Sequence, residues 1–179
     1  MSKKFILTAF SPDRPGIVAD ISQIIFENGF NLEDSSMTYL GGEFVMMLQL
    51  SAPPNGNQPD VETILSSECR RLEREKKIFA FVSPASSEKT VATKDVNVKT
   101  IAVEGEDQSG IVYKISRFLA DSGINIRTLS SKVKLSPQSG TTLYVMSIVV
   151  EIPSSLSLTS VENGLGAIGD ELHVDVSIE

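Results

Sequence analysis

The segment Ser11-Pro12-Asp13-Arg14-Pro15-Gly16-Ile17-Val18 sets an acid, a base and a glycine where a short apolar run, Phe5 to Phe10, gives way to helical spacing. A helix start presents backbone N–H groups without intrahelical partners, backed by the positive end of the helix dipole, and such a mouth holds a small carboxylate. Arg14 could steer an anion there, and Gly16 would let a ligand approach the backbone closely. Asn31 opens the next strand with an amide that donates to a carboxylate and accepts from an ammonium at once. Asp13 could pair with an amino group. Together these groups suit the zwitterionic backbone of a free amino acid. Each residue also has a purely structural reading: Asp13 as a helix cap or dipole partner, Pro15 in a first helical turn, Gly16 for tight helix–strand packing, and Asn31 in a local turn.

The same pattern returns further along the chain. Asp13, Gly16, Ile17, Val18, Gly29, Asn31 and Ser36 recur as Asp107, Gly110, Ile111, Val112, Gly123, Asn125 and Ser130, each 94 positions later. One offset held without a gap over two dozen residues signals a duplicated domain. We assign residues 1–83 to a first domain, 84–96 to a small, polar linker and 97–179 to a second domain. The second copy departs from the first at Gln108-Ser109, where the first has Arg14-Pro15, and at Ser122, where the first has Asn28.

The elements that must position these residues follow from periodicity. Ile17, Val18, Ile21, Ile24 and Ile25 predict a helix stopped by Gly29, and Ile111, Val112, Ile115, Phe118 and Leu119 one stopped by Gly123. Strands open at Asn31 and Asn125. Gly41-Gly42 turns the first hairpin, and Ser136 to Gly140 forms the tip of a longer second one. Second helices follow, with Val61, Ile64, Leu65, Cys69 and Leu72 as one stripe behind an Asp60 cap, and Leu158, Val161, Leu165 and Ile168 as the other behind a Thr159/Glu162 capping box. Gly164, Gly166 and Gly169 weaken that last helix. Ile78 to Val82 and Leu172 to Ile178 predict the closing strands. Strand, helix, strand, strand, helix, strand is the split βαβ plan of an α+β, ferredoxin-like domain, with two helices on one face of an antiparallel sheet.

Composition narrows the function classes. An apolar share of 41% with 22% charged residues describes a folded globular chain. One cysteine excludes an internal disulfide or cysteine cluster, and no apolar run approaches a membrane span, which points to the cytoplasm and to no cofactor or metal. A net charge of −7 argues against a direct nucleic-acid surface. The basic residues around Arg70-Arg71 are interleaved with Glu68, Glu73 and Glu75, as on a solvated helix face. An RNA-binding sheet would need exposed aromatic residues and a basic field, and no such motif stands out. Cys69 reads as core, His173 as a surface residue, and the methionines as packing.

Asp13-Arg14-Pro15-Gly16-Ile17-Val18 followed by Asn28-Gly29-Phe30-Asn31-Leu32 resembles the signature of ACT domains, βαββαβ modules that sense amino acids and other small effectors. The resemblance covers both halves, and the tandem arrangement is similar to the glycine cleavage system transcriptional repressor group. It implies a non-enzymatic regulator that binds a small amino acid, glycine among the candidates, where two ACT modules meet. The effector site would then draw on Asp13, Arg14, Pro15, Gly16, Ile17 and Asn31, with the loop facing the asparagine. By the same match a second site would use Asp107, Ser109, Gly110, Ile111 and Asn125. A protein partner is implied, and a homodimer stays open. Two alternatives remain: a small acyl-phosphatase using Arg14 and the asparagines on phosphate, or the regulatory part of an enzyme supplied on another chain.

Overall fold

Alternation in Lys4–Pro12 (β1) turns Phe5, Leu7 and Ala9 to one side and Ile6, Thr8 and Phe10 to the other. The buried stripes of Ile17–Glu27 (α1) and Val61–Lys76 (α2) cover the first side only. Asn31–Leu40 (β2), Glu43–Ser51 (β3) and Phe79–Pro84 (β4) complete an antiparallel sheet in the order β2-β3-β1-β4. Val96–Glu106 (β5), Ile111–Asp121 (α3), Asn125–Leu135 (β6), Thr142–Pro153 (β7), Leu158–Leu172 (α4) and Val174–Ile178 (β8) repeat the plan as β6-β7-β5-β8. This computed structural model describes residues 3–53, 61–85, 95–135 and 142–179. It divides into units Met1–Lys89 and Thr90–Glu179. Each is an α+β, ferredoxin-like βαββαβ module with its own core, one centred on Leu7, Ile21, Leu48 and Leu65, the other on Ile101, Ile115, Ile148 and Leu165.

Local chemistry sets the element ends. Gly41 and Gly42 both take positive φ, 61° and 93°, as a two-residue hairpin turn requires. Several boundaries differ from the sequence reading. Ile78 packs as core ahead of β4, and Leu172 ends α4 instead of opening β8, because His173 turns left-handed and stops the helix. Ser157, without a side-chain cap bond, precedes α4 in place of the Thr159/Glu162 box. Pro84 belongs to β4 and Val96 opens β5, so the linker is shorter at both ends than 84–96; residues 86–94 of it lie outside the described residues, as do Asp60 and the Ser136 to Gly140 tip. Val18 and Val112, read as stripe residues, stand about 40% exposed. Gly164 has a packing reason that propensity misses: a Cβ there would collide with the Phe118 ring of α3.

Candidate functional site

The mouth of each first helix is built around a glycine. Gly16 and Gly110 are the N-cap residues of α1 and α3, at φ 93° and 101°, a conformation L side chains rarely adopt. A Cβ would meet only Arg14 Nη1 at 3.6 Å beside Gly16 and nothing within 4 Å at Gly110, so the demand is for backbone freedom and not for close packing. A glycine cap brings no side chain to bond the helix start. The first helical bonds run from Asp20 N–H to Gly16 O and from Lys114 N–H to Gly110 O, both 2.9 Å, which leaves the N–H groups ahead of them outside the ladder. Asp13 is therefore not the cap, and Pro15 lies before the helix, not in its first turn. The Asp13 N–H donates to Gly42 O at 2.9 Å and ties the loop to the β2–β3 hairpin. Asp13, Arg14, Gly16, Ile17, Val18, Ala19 and Phe44 line an open recess of about 460 Å³ at this mouth. Sequence reasoning missed Ala19 and Phe44 and placed Val18 in the core; an apolar residue recurring just past each capping glycine was the available signal.

Arg14 is committed elsewhere. Its Nη2 donates to Asp20 Oδ2 at 2.7 Å and reaches Lys76 O at 3.5 Å, while Nη1 donates to Pro15 O at 3.1 Å. The Arg14 hydrogen bond, aided by Lys76 Nζ at 3.2 Å, holds the Asp20 carboxyl below the usual carboxylate range. In the second unit Gln108, the counterpart of Arg14, donates to the carbonyl of Leu172 at the end of α4. Lys114, the counterpart of Asp20, pairs with Glu171 at 2.6 Å. Both units thus fasten the loop before the first helix to the last carbonyl of the second helix, using different side chains, and back it with an ion pair of opposite sense. Neither contact was foreseen.

The asparagines stand far from these loops within their own units. Asn31 pairs with Ser51 at one end of β3, whereas Pro12, which leads into the Asp13–Ile17 loop, pairs with Glu43 at the other. Eight strand positions separate them, about 26 Å. Asn125 opposite Glu151 and Glu106 opposite Leu143 repeat the arrangement. Within one module the loop and the asparagine do not face each other, because they stand at opposite ends of the sheet. Asn31 is exposed, with no side-chain hydrogen bond among the described residues; Asn125 Nδ2 donates to Glu151 Oε2 at 2.9 Å. A register shift follows each asparagine, at Glu33 and at Arg127. Lys4 Nζ sits 2.6 Å from Glu33 and holds its carboxyl low; Arg127 lies 3.6 Å from Glu151.

Elsewhere the chemistry is quiet. Cys69 is buried, and burial pushes its thiol up to about 11, so it is protonated at neutral pH. Arg71 pairs with Glu68 at 2.8 Å and Arg74 with Glu75 at 3.0 Å, the solvated face the sequence predicts. Among the described residues no cluster of His, Cys, Asp and Glu could hold a metal, and no helix is long and apolar enough to cross a membrane.

Two copies of one βαββαβ module, each with a glycine-capped first helix latched to the end of its second, define a duplicated ferredoxin-like protein. Residues 3–77 match the ACT domain family. The second unit repeats the plan of this ACT-matching unit element for element. It is 24% identical over 173 residues to the glycine cleavage system transcriptional repressor of Escherichia coli K12, covering 97% of this chain and 87% of that one. The crystal structure of an unknown protein from Galdieria sulphuraria matches at TM-score 0.81 and 30% identity, over 100% of this chain and 98% of the other. A structure solved as a candidate glycine cleavage system transcriptional repressor matches in fold at TM-score 0.69 and 20% identity, over 100% and 97%. In sequence the chain is similar to that repressor along nearly its whole length, and in fold to that structure.

Proposed function

We propose that the chain is a non-enzymatic sensor of a small amino acid, held where two ACT modules pair. The observation that carries this reading is the uncapped helix mouth, with free backbone N–H groups and an apolar recess, at one end of a module whose asparagine stands at the other end. Antiparallel pairing of two modules along their outer strands, β2 or β6, sets the asparagine that opens one strand against the loop end of the other. A composite cradle results, with N–H groups of one module for the carboxylate and an amide of the other for both charges. The edges support such pairing: β2 carries Glu33 and Asp34, while β6 carries Arg127, Lys132 and Lys134. The two modules belong to one chain or to two. Asp13 serves the ammonium, and Gly16, Ile17, Gly110 and Ile111 shape the mouths. Pro15 and Ser109 only set the chain direction into them.

Occupancy favours the paired orientation by its differential affinity for it, and a protein partner reads that orientation. At −7 the chain would influence transcription through this partner and not by touching DNA. The name of the Escherichia coli relative makes glycine the first effector to try. Thermal melts of the whole chain with each of the twenty amino acids test the reading. A binder present at a hundredfold excess over its Kd adds about 2.7 kcal/mol, a rise of many degrees for a module of this size. Twenty unchanged melting curves would remove the sensor.

A further inference from the structure

The sides of the two sheets not covered by helices have diverged. In the first unit two rows run straight across the sheet, Thr38–Val45–Phe10–Phe79 and Ser36–Met47–Thr8–Phe81. Phe10 and Phe79 stack with ring centroids 5.3 Å apart, yet each remains 43% exposed; Phe81 is 56% and Met47 51% exposed. The rows contain no charge. The same places in the second unit hold Lys132–Val145–Glu104–Asp175 and Ser130–Ser147–Ala102–Ser177. The stacked rings of one copy are thus a pair of carboxylates in the other. The βαββαβ plan tolerates polar residues here, so the aromatic face is not demanded by folding. The aromatic residues stand here without the basic field that an RNA-binding sheet would need.

We propose that this face of the first unit is a docking surface for the same face of a second copy of the chain. Charge excludes a polyanion: the rows have no cation, and Lys4 at their margin is taken by Glu33. Self-pairing sets rings and methionine against rings and methionine at the centre, with Asp34 and Glu43 in the flanking rows at the rim, whereas the equivalent pairing of the second unit would set Glu104 and Asp175 within the central rows. Size fits as well. The 34 residues of β1 to β4, at about 16 Å² each from strand spacing and rise, make a face of about 540 Å². Two copies cover about 1,100 Å², just above what a specific association needs, so the dimer is reversible.

Sedimentation equilibrium of the whole chain, from micromolar to near-millimolar concentration, tests this. The triple variant Phe10→Glu, Phe79→Asp, Phe81→Ser carries the residues the second unit uses on its own folded sheet. Phe81→Ser alone serves if the triple variant loses its cooperative melt. The native chain reaches twice the mass of the variant, and its association persists at about 1 M salt, where pairing through charged strand edges is screened. Equal masses for native chain and variant at every concentration, or a native chain that stays monomeric while it binds labelled RNA, overturn the proposal. Amino acid binding is measured on both proteins, so loss of the dimer is distinguished from loss of the sensor site.

Discussion

Arg14 shows how a residue chosen for its charge can serve geometry instead. Its guanidinium could have met an incoming carboxylate; it spends its donors on Asp20, Pro15 O and Lys76 O. Gln108 makes the same contact to a helix end without any charge, so the shared task is to fix the loop. Substitution separates the two roles. Arg14→Ala raises the Asp20 pKa by removing its principal hydrogen-bond donor, read by NMR titration of that carboxyl. Because the folded pKa lies below the unfolded one, this contribution to stability is full above the ordinary carboxylate range and is lost as pH falls through the folded value. Native chain and Arg14→Ala therefore differ in stability at neutral pH and converge in strong acid. Arg14→Gln keeps the loop in place through Lys76 O while raising the same pKa. If Arg14→Gln loosens the loop as much as Arg14→Ala, measured by hydrogen exchange over residues 13–19, the ion pair with Asp20 and not the contact to Lys76 O positions it.

At the scale of elements, most of the plan was legible and the exceptions have causes. A duplicated motif and two periodicities gave the order βαββαβ, because burial on one face imposes period 3.6 on helices and period 2 on strands. What failed was tertiary. Position along a strand decides that Asn31 and the Asp13–Ile17 loop lie at opposite ends of one sheet, and no local pattern encodes which end pairs with which. Exposure of Phe10, Phe79 and Phe81 was hidden for a similar reason: alternation names two faces without saying which one the helices cover. The glycines of α4 look alike in sequence and differ in the fold. Gly166→Ala, in open space within the helix, should stabilise the chain by up to about 1 kcal/mol. Gly164→Ala meets the Phe118 ring and should destabilise it by about 1–3 kcal/mol. Urea melts of both variants check the contrast; equal effects would mean that α4 does not rest on Phe118.

At the scale of the molecule, duplication has supplied two modules with one backbone and different surfaces. The helix mouths remain alike, with Gly16 and Gly110 in the same conformation, whereas the outer strands carry opposite charge and the uncovered sheet faces differ in polarity. The proposed sensor role requires the amide of one module to complete the mouth of another. Calorimetric titration of the native chain and of Asn31→Ala with glycine, and with any amino acid that raises the melting temperature, tests that most directly. Loss of a hydrogen bond to a charged ligand group, about 1.5–3 kcal/mol, predicts saturable binding weakened by at least about tenfold in a variant whose melt is unchanged. Identical affinity in the two proteins, or no heat with any amino acid, would contradict it.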